Sequence, residues 1–276
     1  MHRQSPLINV MSGAARKAAR KLVRDFGEVE NLQVSKKGPA DFVCAADKTA
    51  ENVIRIELNK ARPNFGFLLE ERGEIVGSDT SNRWVVDPLD GTTNFLHGIP
   101  HFAISIALER DGEPFAGVIY EPVHDQMFTA EKGQGAHLNG RRIRVSNRHN
   151  MDESLFATGI PFKGVRDHPL FLRQLKAVMA VSAGVRRFGS AALDLAYVAA
   201  GRYDGFWETG LKPWDISAGI IIVREAGGFV SDIEGGQDMM SGGSILAAND
   251  PLHGPLGKIL RESANEKKAA KDQKAE

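Results

Sequence analysis

The sequence is poor in cysteine, since Cys44 is the only cysteine among its 276 residues. A single thiol cannot form an intrachain disulfide, which excludes the small disulfide-stabilised secreted domains. The low cysteine content favours a reducing compartment, and we expect the protein to be cytoplasmic. One cysteine and 8 histidines also lack the spacings of zinc ligands, which disfavours a zinc hydrolase.

An excess of charge of either sign is also absent, because 35 lysine and arginine residues balance 35 aspartate and glutamate residues. Proteins that bind membrane surfaces, or nucleic acid regardless of sequence, usually carry a basic surplus, so neither role is indicated. No apolar run approaches the roughly 18 residues that a transmembrane helix needs. The apolar fraction of 42% is nevertheless ample for the core of an ordinary globular protein.

Acidic residues are missing from residues 1–24, which carry several lysines and arginines. A basic segment of this kind superficially fits an organellar presequence. Its apolar residues, however, recur at helical spacing from Leu7 to Phe26, as in an amphipathic helix that buries one face. We therefore predict that this segment is the first helix of the folded domain.

The pattern of apolar runs and turn signals changes near residue 150. Before it, a helix with Asp47 as a possible N-cap precedes closely spaced strands, typical of an antiparallel meander. After it, helices and strands interleave as in a layered α/β unit. We predict one domain over 1–262, with halves at about 1–148 and 149–262, and a charged tail at 263–276 that is either a frayed helix or a flexible segment. The predicted strands are 65–70, 84–87, 102–109, 115–121, 126–131, 136–138, 141–145, 155–158, 203–208, 229–231 and 244–248, and the predicted helices are 47–62, 169–181, 191–200 and 216–226.

The densest chemistry lies in residues 84–95, where an apolar strand runs into Asp-Pro-Leu-Asp-Gly-Thr-Thr-Asn-Phe. A proline stiffens the turn between Asp87 and Asp90, and Gly91 allows the backbone to approach a ligand closely. Thr92 can begin a short helix whose free N–H groups would face an anion. Carboxylates beside an anion site require a cation between them, and Mg²⁺ is the natural candidate. The alternative interpretation is a capped turn without a ligand.

Two further segments place acidic residues beside apolar ones. An apolar run ends in Glu70 and Glu71, and Asp215 precedes the apolar stripe of a helix. Taken singly, each has an equally good structural explanation, because Asp215 suits a helix N-cap. His97 and His101 flank a Gly-Ile-Pro loop close to the first segment and are interpreted as surface or packing residues rather than proton shuttles.

Together these segments resemble a known family. Residues 84–95 are similar to the first signature of the inositol monophosphatase family, the Mg²⁺-dependent, Li⁺-sensitive phosphatases, and residues 214–228 are similar to the second. Segments 187–192 and 208–213 resemble bacterial inositol-1-monophosphatases of the extragenic-suppressor type. The resemblance covers residues 5–262 and implies a sugar-phosphatase-like layered α+β (α/β) sandwich with alternating helix and sheet layers, αβαβα.

The resemblance also implies a role for each matching residue. The implied ligands of two or three Mg²⁺ ions are the carboxylates of Glu70, Asp87, Asp90 and Asp215 and the carbonyl oxygen of Leu89. Thr92 and Glu70 would activate the attacking water, with Asp47 supporting Thr92, and the N–H groups of Gly91 and Thr92 would bind phosphate. The implied contacts to the inositol hydroxyls are Asp90, Gly189, Ser190, Ala191 and Glu208. Leu69 departs from the family pattern, which usually has glycine before the two glutamates.

The implied function is hydrolysis of myo-inositol monophosphate to inositol and phosphate by a Mg²⁺-activated water. Alternatives within the superfamily are fructose-1,6-bisphosphatase, histidinol-phosphatase and 3′-phosphoadenosine phosphatase, since few residues touch the alcohol. A different class of function is contact with the transcription machinery, which the extragenic-suppressor branch also suggests. The resemblance implies a homodimer, and the charge balance indicates no direct contact with nucleic acid or membrane.

Overall fold

The structure, a computed structural model, describes residues 5–28, 34–36, 42–161 and 168–272, with backbone alone for 34–36, 42–44 and 265–272. The helices in these ranges are α1 (Pro6–Phe26), α2 (Ala45–Ala61), α3 (Thr92–Leu96), α4 (His168–Met179), α5 (Ala191–Ala199), α6 (Pro213–Glu225), α7 (Met239–Gly242) and α8 (Asp250–Asp272). The strands are β1 (Val34–Lys36), β2 (Phe42–Cys44), β3 (Phe65–Leu69), β4 (Gly73–Ile75), β5 (Asp79–Asp90), β6 (Ala103–Arg110), β7 (Glu113–Glu121), β8 (Gln126–Glu131), β9 (Gly135–Leu138), β10 (Arg141–Arg142), β11 (Leu155–Thr158), β12 (Gly184–Arg186), β13 (Gly205–Thr209), β14 (Phe229–Ser231) and β15 (Ser244–Ala248).

The first helix, α1, forms as its sequence pattern predicts. Ser5 caps it, because the Ser5 hydroxyl accepts a hydrogen bond from Ile8 N at 3.1 Å, and Pro6 occupies the first helical position. Residues from Ile8 to Leu22 bury one stripe against the sheet beneath. The interpretation of this basic segment as a helix of the folded domain is confirmed.

The first half of the chain forms an eight-stranded sheet in the order β10-β9-β8-β7-β6-β5-β3-β4. Neighbouring strands are antiparallel except β3 and β5, which run parallel. Strands β6 to β10 form the predicted meander. The turn between β9 and β10 shows why, since Asn139 and Gly140 have φ angles of 49° and 76°, as in a type I′ hairpin turn.

The second half forms a five-stranded sheet in the order β12-β11-β13-β15-β14. Its first three strands are parallel, and the other pairings are antiparallel. Helices α1 and α2 cover the outer face of the large sheet, α5 and α6 lie between the sheets, and α4 and α8 cover the outer face of the small sheet. The molecule is therefore the predicted αβαβα sandwich. None of the helices in the described ranges combines the length and apolar character needed to span a membrane.

Several predicted strand boundaries are wrong. Strand β5 begins at Asp79 instead of residue 84 and continues to Asp90 instead of ending at 87. Strand β10 ends at Arg142 instead of 145, and β13 begins at Gly205 instead of 203. The short strands β4 and β12 have no counterpart in the sequence pattern.

The helices also differ from the prediction. Helix α2 begins at Ala45, so Asp47 lies inside its first turn and is not the N-cap. Helix α8 is absent from the sequence-based assignment. In the charged tail, predicted as either a frayed helix or a flexible segment, α8 continues as far as Asp272, and residues 273–276 lie outside the described residues.

Candidate active site

Two neighbouring parallel strands bring Glu70 and Asp87 together. Leu69 on β3 pairs with Val86 on β5, so the residues that follow emerge at the same edge of the sheet. Glu70 N donates to Val86 O at 3.2 Å, which holds the chain at Glu70 beside β5. Burial, and next the negative charge of Glu70, raise the pKa of Asp87 well above its usual range. The two carboxylates are therefore close enough to interact strongly.

The turn after Asp87 directs two carboxylates to one side. Residues three apart face opposite sides of a regular strand, but the pairing of β5 with β6 is irregular between Asp87 and Asp90. An extra residue at such a bulge restores a common side, and the negative charge of Asp90 contributes to the raised pKa of Asp87. Asp87 is 2% exposed, and its Oδ1 accepts a hydrogen bond from Leu89 N at 2.9 Å, which stabilises the turn.

Gly91 connects this turn to α3, the short helix predicted at Thr92. Its φ angle is 91°, in the left-handed region that favours glycine. A Cβ at this position would lie 3.0 Å from His101 O and 3.3 Å from the Cα of Phe102. Glycine is required both by the backbone angle and by the close approach of another segment. The binding of phosphate by the amides of this turn stays a prediction.

Helix α6 brings Asp215 to the same site from the layer between the sheets. Asp215 lies in the first turn, where its Oδ2 accepts a hydrogen bond from Lys212 N at 2.7 Å. Lys212, and not Asp215, is the N-cap residue. Ser105 on β6 donates to Trp214 O at 3.2 Å, which ties the start of α6 to the large sheet. Burial, and next the negative charge of Asp90, raise the pKa of Asp215.

This carboxylate cluster fits a hard cation. Its members are Glu70, Asp87, Asp90 and Asp215. A nearby cation would stabilise the ionised form of buried carboxylates that raise one another's pKa values, and oxygen ligands suit Mg²⁺. Within the described ranges, no group of three or more His, Cys, Asp or Glu side chains is arranged to hold a metal ion without further ligands. Mg²⁺ typically takes one or two carboxylates and completes its coordination with water and substrate phosphate, so an open arrangement suits it.

The start of α5 contacts the cluster through Asp90. Ser190 Oγ donates to Asp90 Oδ2 at 2.5 Å, and Ala192 N donates to the same oxygen at 2.8 Å. Burial raises the pKa of Asp90 to about 6, although these hydrogen bonds oppose the change. The structure thus places Ser190 and Ala191 next to Asp90, and Gly189 directly precedes them in the chain. Their contact with a substrate alcohol stays a prediction.

Glu208 at the end of β13 is close enough to Asp90 for the two charges to interact. Burial, and next the negative charge of Asp90, raise the pKa of Glu208 to about 8, while the Arg187 guanidinium opposes this. Space for the carboxylate exists because residue 159 is glycine. A Cβ on Gly159 would lie 1.8 Å from Glu208 Oε1. Gly159 therefore allows Glu208 to occupy its position.

Two residues of the site were missed from the sequence. Asn94 is buried on α3, and its Nδ2 donates to His101 O at 2.8 Å and to Phe188 O at 2.7 Å, which links α3 to the segment preceding α5. Asp194 is buried in α5, where burial and next the negative charge of Glu208 raise its pKa. A lone acidic residue in an apolar helix was a readable signal for Asp194. The role of Asn94 depends on contacts that its residue type does not reveal.

The remaining predicted catalytic residues are Thr92 and Asp47. Thr92 Oγ1 donates to Leu89 O at 2.9 Å, so the hydroxyl proton is directed to that carbonyl. Asp47 is buried in the first turn of α2, the helix that packs on β5. The support of Thr92 by Asp47 stays a prediction.

The two loop histidines occupy the positions expected of surface and packing residues. His97 is exposed. The His101 ring lies against Phe188, with centroids 5.1 Å apart, and against Tyr197 at 6.0 Å. Burial lowers the pKa of His101 to about 4, so its ring is neutral near pH 7.

Comparison with known proteins gives a consistent result. Residues 3–272 match the inositol monophosphatase family. The inositol-1-monophosphatase of Mesorhizobium japonicum is 59% identical over 259 residues, which cover 94% of this chain and 97% of that protein. The Nus factor SuhB of Escherichia coli is 46% identical, covering 88% of this chain and 91% of that protein. The crystal structure of the extragenic suppressor protein SuhB from Bartonella henselae superimposes with a TM-score of 0.91 at 58% identity, covering 93% of this chain and 98% of that one. The chain belongs to the inositol monophosphatase family.

Proposed function

We propose that the protein is a Mg²⁺-dependent phosphomonoesterase that hydrolyses myo-inositol monophosphate to inositol and inorganic phosphate. Family membership supports a phosphatase. The observation that carries the proposal is the carboxylate cluster around Asp87, in which neighbouring acidic groups raise the pKa values of the buried Asp87 and Asp215. A cluster of this kind is suited to holding cations against a phosphate dianion.

The proposed cation ligands come from three elements of the fold. One Mg²⁺ would be held by Glu70, Asp87 and the carbonyl oxygen of Leu89. A second would be held by Asp87, Asp90 and Asp215. When bound, the ions would neutralise charge on the phosphate and lower the pKa of a water towards neutrality. The protein would hold these ligand oxygens at strand ends and at a helix terminus, so that little reorganisation is needed during the reaction.

Thr92 and Glu70 would handle the attacking water. Because the Thr92 hydroxyl donates to Leu89 O, the lone pairs of Oγ1 remain available to accept a hydrogen bond from that water. The Glu70 carboxylate would accept the second proton as the water oxygen attacks phosphorus. The N–H groups of Gly91 and Thr92 would hold the phosphate oxygens. The P–O ester bond then breaks, the alcohol oxygen leaves and takes up a proton from solvent water, and Glu70 returns its proton to solvent.

Recognition of the alcohol would rest on a small polar set. Its proposed members are Asp90, Gly189, Ser190, Ala191 and Glu208. Ser190 donates to Asp90, and the charge of Asp90 acts on Glu208, so the set would surround Asp90 and face the leaving alcohol. A small polar set predicts side activity towards other phosphomonoesters, and fructose 1,6-bisphosphate, histidinol phosphate and 3′-phosphoadenosine 5′-phosphate are the alternative substrates.

The experiment is phosphate release from inositol 1-phosphate and these three esters, each with Mg²⁺ and with EDTA. We expect kcat/KM to be highest for inositol 1-phosphate, and we expect EDTA to abolish phosphate release from all four esters. Preference for another ester would keep the mechanism and change the substrate. Undiminished turnover in EDTA would refute the role of the carboxylate cluster.

A second candidate function is contact with the transcription machinery, favoured by the name of the Escherichia coli relative, Nus factor SuhB. A pull-down of RNA polymerase with the wild type and with Asp87→Asn tests it, because binding that survives the substitution would use a separate surface.

We also propose that the protein is a homodimer, as the resemblance implies. Light scattering of the purified protein measures this directly.

A further inference from the structure

Helix α2 carries a fully buried carboxylate that the proposed mechanism does not use. Glu51 is 0% exposed and lies on the helix that covers β5. Its Oε2 accepts a hydrogen bond from Glu71 N at 2.8 Å, and the Arg72 Nε lies 3.2 Å from its Oε1. Both partners belong to the turn that follows Glu70. The buried group therefore binds the chain next to a proposed cation ligand.

Burial of the charged Glu51 carboxylate is energetically unfavourable, and the carboxylate holds the turn after Glu70 in place. Burial raises the pKa of Glu51, while the hydrogen bond from the Glu71 amide and the positive charge of Arg72 oppose that change. Arg72 remains partly exposed, so its charge is only partly removed from water. An apolar side chain would fill the same space without the desolvation penalty. Only an acceptor, however, can hold the Glu71 amide.

The backbone of Glu70 is consequently held on both sides. On one side, Leu69 is buried in the core beneath α2, and the Glu70 amide donates to Val86 O. On the other side, Glu51 holds the Glu71 amide. Leu69 occupies the position where the family usually has glycine, so this turn is anchored by a buried side chain before Glu70 and a buried acceptor after it.

We propose that Glu51 is a positioning residue that sets the cation affinity of the Glu70 side of the cluster. The inference rests on the proposed function in one respect, namely that Glu70 is a cation ligand. Groups that orient metal ligands typically change metal affinity 10- to 100-fold when they are removed. The orienting contact here is to the main chain beside the ligand.

Three substitutions separate the acceptor from the charge. Glu51→Gln keeps an acceptor oxygen at the same reach without the charge. Glu51→Asp keeps the charge but shortens the side chain by one methylene, so the acceptor oxygen no longer reaches the Glu71 amide. Glu51→Leu removes both the acceptor and the charge. Matched controls are Glu57→Gln and Glu57→Leu on the same helix, since Glu57 pairs with Lys17 at 2.7 Å, away from the turn.

The measurement is Mn²⁺ and Mg²⁺ binding by isothermal titration calorimetry, with the rise in Tm on cation addition as a second readout. We expect Glu51→Asp and Glu51→Leu to bind the cations at least about tenfold more weakly than the wild type. Glu51→Gln and both controls should stay within about twofold. At saturating Mg²⁺ the substrate KM of Glu51→Asp should change little, which a general loosening of the fold would not produce.

Several results would overturn the inference. Wild-type affinity in folded Glu51→Leu would do so, as would equal weakening in Glu51→Gln, which would assign the effect to charge. If Glu51→Leu does not fold, Glu51→Asp decides, and wild-type affinity there refutes the role. Absence of cation binding in the wild type is a different outcome, because it refutes the proposed function itself.

Discussion

Replacing Gly159 with alanine should move the Glu208 carboxylate while leaving Glu208 in the chain. A Cβ at this position would lie 1.8 Å from Glu208 Oε1 and 1.9 Å from its Cδ. The carboxylate would have to move by more than about 1.5 Å to reach an ordinary van der Waals separation. Because the φ angle of Gly159 is not positive, alanine adds no backbone strain, and the flexible end of Glu208 is the part that yields.

Displacement of the Glu208 carboxylate should lower the activity towards inositol 1-phosphate more than the activity towards a substrate without the recognised hydroxyl. Above pH 8, where Glu208 is ionised, a hydrogen bond between this charged acceptor and a substrate hydroxyl contributes about 1.5–3 kcal/mol. We therefore expect kcat/KM for inositol 1-phosphate to fall roughly 10- to 100-fold in Gly159→Ala. For p-nitrophenyl phosphate, whose leaving group has no such hydroxyl, we expect a change of less than about threefold. Glu208→Gln should show the same selectivity, because it removes the acidic group while the side chain keeps its length and position.

Gly13→Ala is the matched control, because the position has no neighbour within 4 Å and lies inside α1. It should leave both activities unchanged and stabilise the protein by about 0.5 kcal/mol. Equal losses on the two substrates in Gly159→Ala would remove Glu208 from alcohol recognition. Unchanged activity on both would refute the argument that Gly159 determines the position of the carboxylate.

Two further predictions concern the segments around α3. Asn94→Leu removes the two hydrogen bonds to His101 O and Phe188 O, so urea denaturation should show a loss of about 2 kcal/mol or more, and a loss below about 0.5 kcal/mol would contradict the linking role. The pKa of His101 is lowered from 6.5 to about 4, so its contribution to stability is complete above pH 6.5 and is lost as the pH falls towards 4. Over that interval wild-type stability should fall by up to about 3 kcal/mol more than that of His101→Phe, and parallel pH profiles for the two proteins would refute the assignment.

The fold was readable from the sequence where apolar patterns and turn residues agree with the tertiary structure. The meander and α6 are of this kind. The polar residues from Asp79 to Arg83 gave no strand signal, because their extended conformation comes from pairing with β6, where Asn82 lies opposite Arg110. Helix α8 was missed because Gly254 and Pro255 lie within it, and both residues ordinarily argue against a helix interior.

Some residues of the site could likewise be predicted from the sequence, and others could not. Asp87, Asp90 and Asp215 were identified because their segments match family signatures, and the structure brings them together. Glu51 and Gly159 were not identified, because their significance lies in contacts with residues distant in sequence. Glu51 binds the amide of a residue twenty positions later, and the space that Gly159 provides serves a side chain on another strand. Neither the residue type nor the local sequence pattern predicts such contacts.

The central claim is that cations held at the carboxylate cluster enable phosphate ester hydrolysis. Its most direct test is phosphate release from inositol 1-phosphate by the wild type and by Asp87→Asn across a Mg²⁺ titration, with circular dichroism to verify the fold. Loss of cation charge at the phosphate should cost several kcal/mol of transition-state stabilisation, so we expect Asp87→Asn to be slower by at least about 100-fold at every Mg²⁺ concentration. A folded Asp87→Asn protein with a near-normal, Mg²⁺-dependent rate would contradict the account.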